Sequence, residues 1–355
     1  MSYYQPSPIR QLLSHLLLLL AAGQMIAVRA DTPVAPRFAR YERTFSGHEG
    51  YVRAMVFSAD EQNLLTGGWD GLVKLWQSGH DKELKRLAGH RGYVNAIACS
   101  ADGNLIASAG QDRVIRLWSA RTGELQKELS GHTRAINTLA FSSSGRLLAS
   151  AGGEELVRIW DVAAGKLLHK LEGHLSFIGS VRFSPDDKYL ASAGDDRELR
   201  IWSVADGSLF RVLTGHLGYI TSLCFLNDEL LASGSDDQTI RLWRWQKGES
   251  LKVMRGHTEG ISTIVYWPAG ASLVSASWDG TVRFWELATG RETGVIQAMN
   301  QPLLSLCLAK KEGLLATGGA DGRIQIWRLA VPAAVKSTKV TAVVLSVSWH
   351  PKLPS

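Results

Sequence analysis

The chain repeats itself at a nearly constant interval, and this period limits the possible folds more than any other feature. The dipeptide Gly-His recurs in register six times, starting at residues 47, 89, 131, 173, 215 and 256, at steps of 42 or 41 residues. Tryptophan forms a second series with the same steps: Trp76, Trp118, Trp160, Trp202, Trp243, Trp285 and Trp327. Because the two series stay in register, they indicate seven copies of one structural unit.

Each unit also carries an acid six residues before its tryptophan and a hydroxyl ten residues before it. The acids are Asp70, Asp112, Glu154, Asp196, Asp237, Asp279 and Asp321. The hydroxyls are Thr66, Ser108, Ser150, Ser192, Ser233, Ser275 and Thr317. Between these markers the first unit contains short alternating segments at 52–57, 64–66, 72–76 and 84–87, separated by turn residues. Four short strands in about 40 to 45 residues are typical of one propeller blade.

With these recurring positions the chain resembles the WD-repeat family, and the resemblance covers residues 40–329. It implies an all-β fold, a seven-bladed β-propeller built from four-stranded antiparallel blades. In that family one His, one hydroxyl, one Asp and one Trp form a buried hydrogen-bonded tetrad in each blade. In the first blade these residues would be His48, Thr66, Asp70 and Trp76. The chemistry is consistent, since an indole N–H can only donate and a hydroxyl both donates and accepts.

Two blades depart from this pattern. The third has Glu154, which is one methylene longer than Asp, and the seventh has Met299 in place of His. We expect both blades to be looser, and the seventh to matter more because the ring closes there. The family resemblance also implies that residues 40–45 supply the fourth strand of the seventh blade, so that an N-terminal strand closes the ring and covers exposed strand edges.

The first thirty residues differ from the rest and are typical of a secretory signal peptide. Arg10 precedes an apolar stretch at 12–28, and the small residues Val28 and Ala30 stand before a possible cleavage site at Asp31. An uncleaved membrane anchor is the alternative, although polar residues interrupt the stretch and a spanning helix needs about 20 predominantly apolar residues. We therefore expect an exported protein, periplasmic or secreted, that contacts a membrane only if the leader stays attached.

The remaining segments flank the propeller. Residues 31–39 are interpreted as a linker and residues 330–355 as a tail. Part of this tail, 343–351, looks like the opening strand of another repeat, but no further strands follow it. Packing on the outside, competition with residues 40–45 for the sheet edge, and disorder all remain open for this segment.

Composition and motifs argue against catalysis and nucleic-acid binding. Without the leader the chain has 37 basic and 33 acidic residues, which is too even for a nucleic-acid surface. Six of the ten histidines belong to the Gly-His pairs in register with the repeat, and no group of residues has metal-ligand or phosphate-loop spacing. Three cysteines fall in separate blades and are interpreted as small buried side chains. We expect no enzyme activity, no metal and no cofactor.

Variation between the repeats predicts where a partner binds. In the family's geometry, residues just after Gly-His and just before the turn acid gather on one rim of the disc. The predicted partner-binding residues are Tyr51, Arg53, Trp69, Tyr93, Gln111, Phe177, Asp195, Tyr219, Asp236 and Trp278. Aromatic residues and arginine dominate the energetics of interfaces. We expect an off-centre site from the sixth blade through the first and second, centred on five of these residues: Trp278, Trp69, Tyr51, Arg53 and Tyr93.

Three functions compete at this point. The first is a monomeric, non-catalytic scaffold that binds a protein or peptide on the aromatic rim. The second is a propeller enzyme, such as a quinone-cofactor dehydrogenase or a lactonase, which would need a cation site or a polar catalytic cluster at the central channel. The third is a lectin-like propeller that stacks sugars on rim aromatics. Simple packing of some aromatics between neighbouring loops is the alternative to any binding role.

Overall fold

A computed structural model describes residues 39–78 and 80–330 of the chain. The first strand is β1 (Ala39–Ser46). Blades one to three then follow in chain order: β2 (Val52–Phe57), β3 (Asn63–Gly68), β4 (Val73–Gln77), β5 (Glu83–Leu87); β6 (Val94–Cys99), β7 (Leu105–Gly110), β8 (Ile115–Ser119), β9 (Leu125–Leu129); β10 (Ile136–Phe141), β11 (Leu147–Gly152), β12 (Leu156–Asp161), β13 (Lys166–Glu172).

The remaining strands complete blades four to seven. They are β14 (Ile178–Phe183), β15 (Tyr189–Gly194), β16 (Leu199–Ser203), β17 (Leu209–Leu213); β18 (Ile220–Phe225), β19 (Leu230–Ser235), β20 (Thr239–Arg244), β21 (Glu249–Arg255); β22 (Ile261–Trp267), β23 (Ser272–Ser277), β24 (Thr281–Glu286), β25 (Glu292–Gln297); β26 (Leu303–Ala309), β27 (Leu314–Gly319), β28 (Arg323–Leu329). A single 3₁₀ turn, Pro268–Gly270, interrupts this series in the described chain. The seven four-stranded antiparallel sheets confirm the predicted propeller.

The size and polarity of the side chains differ between the inner and the outer strands of a blade. The second strand of a blade is rich in Ala, Ser and Gly, as in β7 (Leu-Ile-Ala-Ser-Ala-Gly), and five of these six residues are buried. Small side chains fit there because neighbouring blades converge on the axis and cover both faces of the sheet. The fourth strand, as in β9, buries only its last residue and leaves polar side chains in solvent.

The hydrophobic core consists of clusters between adjacent blades. One of them joins Ala109 and Ile115 of the second blade to Ile136 and Leu148 of the third, with the tetrad tryptophan Trp160 packed against them. Each of these side chains is almost completely buried. Burying one large apolar side chain contributes about 1.5 to 3 kcal/mol, so blade-to-blade contact is the main source of stability.

The ring closes through the two ends of the propeller. Strand β1 pairs antiparallel with β28, from Ala39 opposite Leu329 to Ser46 opposite Arg323. The seventh sheet therefore has the order β1-β28-β27-β26, which confirms closure by an N-terminal strand. This strand begins at Ala39, one residue before the expected boundary. The predicted leader, most of the predicted linker and residues 331–355 of the tail lie outside the described residues.

A second closure contact comes from Glu61, in the turn between β2 and β3. Its carboxylate accepts hydrogen bonds from the backbone amides of Lys310 (2.9 Å), Lys311 (2.9 Å) and Glu312 (3.1 Å) in the seventh blade. Glu61 has a left-handed backbone, with φ of 61°, a conformation that glycine adopts without steric cost. The second blade has a glycine, Gly103, at the equivalent turn position. Glu61 therefore tolerates strain at the place where its carboxylate joins the first blade to the last.

Hydroxyl groups lock several other blade pairs together near the axis. Ser180 accepts a hydrogen bond from the amide of Leu223 in the next blade (3.1 Å), and Ser222 accepts one from Ile264 (3.1 Å). Thr138 does the same for Val181 (3.2 Å). Each bond links the innermost strands of consecutive blades and fixes their spacing around the central channel.

The described residues include neither a membrane-spanning helix nor a pair of bonded cysteines. None of residues 39–78 and 80–330 forms a helix that could cross a bilayer. The three cysteines are unpaired. Burial raises the pKa of each thiol, that of Cys99 to about 12. Such thiols stay protonated at neutral pH and are poor nucleophiles.

Replacing Glu61 tests the closure contact. Glu61→Ala keeps a side chain in the left-handed conformation and loses three charge-assisted hydrogen bonds, so we expect the free energy of unfolding to fall by about 1 to 3 kcal/mol. Glu61→Gly should lose less, because glycine relieves the backbone strain. Urea titration followed by circular dichroism measures both variants.

Asp187 provides the matched control. It occupies the same turn position in the fourth blade, with φ of 59°, and its carboxylate accepts from the amides of Ser143 (2.6 Å) and Ser144 (2.9 Å) in the third blade. Those blades are consecutive in the chain and do not close the ring, so Asp187→Ala should cost less than Glu61→Ala. An equal or larger loss for Asp187→Ala would contradict a special role for Glu61 in closure.

Candidate partner-binding rim

The rim loops are positioned by the tetrads below them. In the first blade His48 lies between Asp70 and Thr66, with 2.8 Å from Nδ1 to Asp70 Oδ1 and 2.7 Å from Nε2 to Thr66 Oγ1. The indole N–H of Trp76 donates to the same Thr66 oxygen at 2.8 Å. Asp70 also accepts from two backbone amides of the loops that it joins. The network therefore fixes the loop after Gly-His against the turn that carries the acid.

The same network recurs in the second, fourth, fifth and sixth blades. The distance from His Nε2 to the Ser oxygen is 2.7 Å in each of them, and the Trp N–H donates to that oxygen at 2.7 to 2.8 Å. Burial alone would raise the pKa of Asp196, but the hydrogen bond and charge of His174, together with hydrogen bonds from the Leu175 amide and Arg200, outweigh burial and lower the pKa. The acid is therefore held as a carboxylate, the form that accepts every bond in the network.

The third blade keeps the network with glutamate. Glu154 contacts Nδ1 of His132 and the guanidinium of Arg158, and it accepts from the Thr133 hydroxyl at 2.8 Å. His132 Nε2 lies 2.6 Å from Ser150 Oγ, so all four members of the tetrad are in contact. Burial and the charge of Arg158 lower the pKa of His132 to about 3.

The turn explains why the longer acid fits. The residue after the acid is left-handed in the other six blades: Gly71, Arg113, Arg197, Gln238, Gly280 and Gly322. Glu155, at this position in the third blade, is not left-handed, and the segment bends without the regular turn of the other blades. The different backbone of this turn thus makes room for the extra methylene of Glu154. The expectation that the third blade is looser did not take this backbone change into account.

The seventh blade lacks the network. Met299 is buried where histidine stands elsewhere. The Thr317 hydroxyl and the Trp327 indole N–H are buried without a hydrogen-bond partner among the described residues. Each unsatisfied buried group costs about 1 to 3 kcal/mol. Strand β1 and Glu61 therefore secure a blade whose internal polar contacts are missing.

Three aromatic residues of the rim form one stack, which we call the aromatic platform: Tyr51, Trp69 and Tyr93. The ring centroids of Tyr51 and Trp69 are 4.0 Å apart, and those of Trp69 and Tyr93 are 4.4 Å apart with only 15° between the planes. Trp69 and Tyr93 remain 37 % and 38 % exposed. Trp69 directly precedes Asp70, so the first tetrad fixes the turn that carries this indole between two blades. Gln111 borders the platform, where its side-chain oxygen accepts a hydrogen bond from the Tyr93 amide at 3.5 Å.

Arg53 and Trp278, the other two residues of the expected centre, lie elsewhere. Both line the central channel. Trp278 packs over Gly260, where an added Cβ would come within 2.9 Å of the indole, and beside the carboxylate of Asp236. The structure thus brings three of the five residues into one stack and places two around the channel.

The fourth and fifth blades hold a second group of rim residues. Phe177 contacts Tyr219 edge-on at 6.1 Å between centroids, and burial raises the pKa of Tyr219 to about 12. Asp195 accepts a hydrogen bond from Ser176 at 2.9 Å. Burial and the nearby charges of Asp237, Glu259 and Asp195 raise the pKa of Asp236. This sector is acidic, whereas the platform carries no acid.

Sequence reasoning missed two exposed leucines in that sector. Leu175 and Leu217 are 77 % and 81 % exposed, the highest values among the large apolar side chains of the described chain. Both stand immediately after a Gly-His pair of the repeat, whereas the other four pairs in register are followed by Glu49, Arg91, Thr133 and Thr258. The signal was therefore visible in the sequence, two positions before the rim residues Phe177 and Tyr219.

The described residues contain no group of three or more His, Cys, Asp or Glu side chains placed to hold a metal ion. The tetrad hydroxyls also have no access to a substrate: Thr66, Ser108, Ser192 and Ser233 are completely buried and bonded to their tryptophans. The His, Ser and Asp of a tetrad therefore resemble a hydrolytic triad only in residue type.

Comparison with known proteins agrees with this architecture. The family model described as "WD domain, G-beta repeat" matches seven segments of the chain: 39–77, 81–119, 123–161, 165–203, 207–244, 248–286 and 290–328. A curated relative is the "Mitotic checkpoint protein bub3" of Dictyostelium discoideum, which is 46 % identical over 41 residues. That match covers 12 % of this chain and 12 % of the relative.

Restoring histidine in the seventh blade should stabilise the protein. Met299→His places a ring between Asp321 and Thr317, which lets Thr317 accept from Trp327 as in the other blades. We expect the free energy of unfolding to rise by about 1 to 2 kcal/mol, because two buried groups become satisfied. Denaturant unfolding of the purified variant measures the change.

Two further variants control this prediction. Met299→Leu keeps an apolar side chain and should leave stability nearly unchanged. His257→Met imposes the arrangement of the seventh blade on the sixth and should destabilise it. A Met299→His variant no more stable than Met299→Leu would show that the missing network is not what weakens the seventh blade.

Proposed function

The chain belongs to the WD40 repeat family, and from this premise we propose that it is an exported, non-catalytic scaffold that binds a protein or peptide partner on its aromatic rim. WD40 propellers generally hold protein partners and do not catalyse reactions. The 41-residue match to the checkpoint protein is no longer than one repeat, so it reflects the repeat itself. No checkpoint role follows for this chain.

The aromatic platform is the observation that carries the proposal. Trp69 is stacked between Tyr51 and Tyr93, yet more than a third of its surface stays in solvent. Large rigid rings lose little conformational entropy on binding, and aromatic residues often dominate the binding energy of an interface. Because the tetrad below holds Trp69 in place, the platform is preorganised.

The surroundings of the platform favour a protein or peptide over a small substrate. The same rim carries two strongly exposed leucines, Leu175 and Leu217, and the acidic residues Asp195 and Asp236. Apolar and charged groups spread over several blades suit an extended partner that contacts more than one sector. A sugar ring or a metabolite would use only one of them.

Removing the central indole tests the proposed binding surface. We expect Trp69→Ala to weaken binding of the partner at least tenfold, which corresponds to about 1.4 kcal/mol, because the platform loses its middle ring. The partner is first identified by cross-linking of tagged wild-type protein in the extracellular or periplasmic fraction of its source, and affinity is then measured with purified components.

The control for this experiment is Leu168→Ser, which removes an even more exposed apolar side chain from the outer strand β13. Its affinity should match that of the wild type, and both variants should melt near the wild-type temperature. Trp278→Ala reports separately on whether the partner also reaches the channel. Unchanged binding by Trp69→Ala would refute the platform, and capture of glycans alone on an array would favour a lectin.

Export rests on the leader sequence and has its own test. Expressed with residues 1–30 in place, the protein should accumulate as a soluble chain whose N-terminus is Asp31, as measured by mass spectrometry of separated fractions. Leu18→Arg interrupts the apolar run and should leave the full-length chain inside the cell. Full-length wild-type protein in the membrane fraction would show an anchored propeller instead.

A further inference from the structure

The central channel is a built cavity with a volume of about 180 Å³. The first strand of every blade contributes to its wall. One residue from each blade, at the same repeat position, faces it: Arg53, Asn95, Asn137, Gly179, Thr221, Ser262 and Leu304. The composition of this ring differs from blade to blade, although the scaffold around it is nearly constant.

The charge of the channel has one sign. Among the 21 residues that line it, the charged ones are Arg53 and Arg182, and both are positive. The other polar residues of the wall are neutral amides and hydroxyls. No carboxylate of the described chain lines the channel, so the positive charge is not compensated from within the wall. The acids Asp236 and Asp195 stand near the lining residues Trp278 and Tyr219.

Arg182 is an exception at its own repeat position. The equivalent residues in the other blades are apolar or thiol side chains: Val56, Ala98, Ala140, Cys224, Val265 and Cys307. Its guanidinium donates to the carbonyl of Val181 at 2.7 Å and forms no ion pair with the described residues. Burial lowers the pKa of Arg182, but a guanidinium stays charged at neutral pH. Arg182 is half-buried in the channel wall. A partly desolvated cation without a counter-ion is unfavourable, which favours an anion from outside the chain.

Further donors face the same space. Asn95 donates to the carbonyl of Ile136 at 3.2 Å and to the side-chain oxygen of Asn137 at 3.4 Å. Asn137 therefore uses its oxygen within the wall and has its amide N–H groups left for an occupant. Arg53 is exposed at the mouth and pairs with no acid of the described chain. Arg182 stands about 10 Å further along its strand than the ring residue Gly179, given the rise of a β-strand.

We propose that the central channel binds an oxyanion, a carboxylate or phosphate group, at Arg182, and that Arg53 at the mouth adds to the positive charge that attracts it. Planar guanidinium groups bind both kinds of oxygen pair well. A volume of about 180 Å³ accommodates a small polyanion, since about 10 to 15 Å³ of such space is enough to hold one water. The oxyanion comes either from a free small molecule or from an acidic side chain of a partner that covers the mouth. Neither source depends on the aromatic platform.

The test measures anion binding by purified protein. Inorganic phosphate, citrate and acetate are added at constant ionic strength, with chloride as the reference, and the melting temperature and heat of binding are recorded. We expect at least one of them to bind saturably and to raise the melting temperature. Arg182→Gln should weaken this binding at least tenfold and Arg53→Gln should weaken it less. Arg197→Gln, an exposed cation of the same blade, should bind as the wild type does.

The stability of the variants separates binding from folding. Without added oxyanion, Arg182→Gln should melt no lower than the wild type, because it removes an uncompensated, half-buried charge from the channel wall. Micromolar binding of phosphate or citrate would identify a free anion. Millimolar binding of acetate, with tighter binding of an Asp- or Glu-rich peptide, would identify a partner's carboxylate.

Equal anion effects on wild type and Arg182→Gln, or no effect on either, would overturn the proposal. Trp69→Ala distinguishes it from the rim hypothesis, since that variant should keep full anion binding. Loss of partner binding in Trp69→Ala with retained anion binding would support both sites independently.

Discussion

A single buried oxygen in each blade is the contact on which the rest of the structure depends. In the first blade Thr66 Oγ1 accepts from the Trp76 indole and contacts the His48 ring, and His48 in turn meets Asp70. The chain of bonds runs from the hydrophobic interface between blades up to the rim loops. If one member is missing, its neighbours are left buried and unsatisfied, as Thr317 and Trp327 are in the seventh blade. The cost of leaving such groups unpaired explains why the residue pattern varies so little between repeats.

The sequence repeat and the structural blade are out of phase, and this offset closes the ring. The first matched repeat begins at residue 39, with a strand that belongs to the seventh blade, and every later repeat begins with the outer strand of the blade before it. Each boundary between repeats therefore lies inside a sheet. Hydrogen bonds of the β1–β28 pair join the chain ends, and Glu61 adds a contact on the other side of the same junction. The seventh blade, which lacks the hydrogen-bonded tetrad, is thus the one that contacts between distant parts of the sequence hold in place.

Periodicity was sufficient to predict the fold because the spacing of Gly-His, hydroxyl, acid and Trp is set by strand length and turn geometry, which every blade shares. It could not predict how Glu154 is accommodated, since that depends on the backbone of Glu155, whose side chain gives no sign of its conformation. Periodicity also grouped Trp278 with Trp69, because the repeat position places both residues on the rim but does not determine the orientation of each indole. Trp69 turns toward the next blade and stacks on Tyr93, whereas Trp278 folds over Gly260 beside the channel. Packing against neighbouring side chains determines the orientation of each indole, and an alignment of the repeats does not contain this information.

Departures from the repeat identify functional positions when no local structural need accounts for them. Glu61 and Asp187 depart from glycine, but their carboxylates hold neighbouring turns, so structure explains them. Arg182 has no such explanation, because its charge meets one carbonyl and otherwise faces the channel. The platform is similar, since Trp69 and Tyr93 expose large apolar surfaces that the fold does not need to expose. The platform and the channel open on one rim and differ in chemistry, one aromatic and one cationic. A partner that places an apolar side chain on the first and an acid over the second would use both, and the unvarying tetrads hold the two sites at a fixed separation.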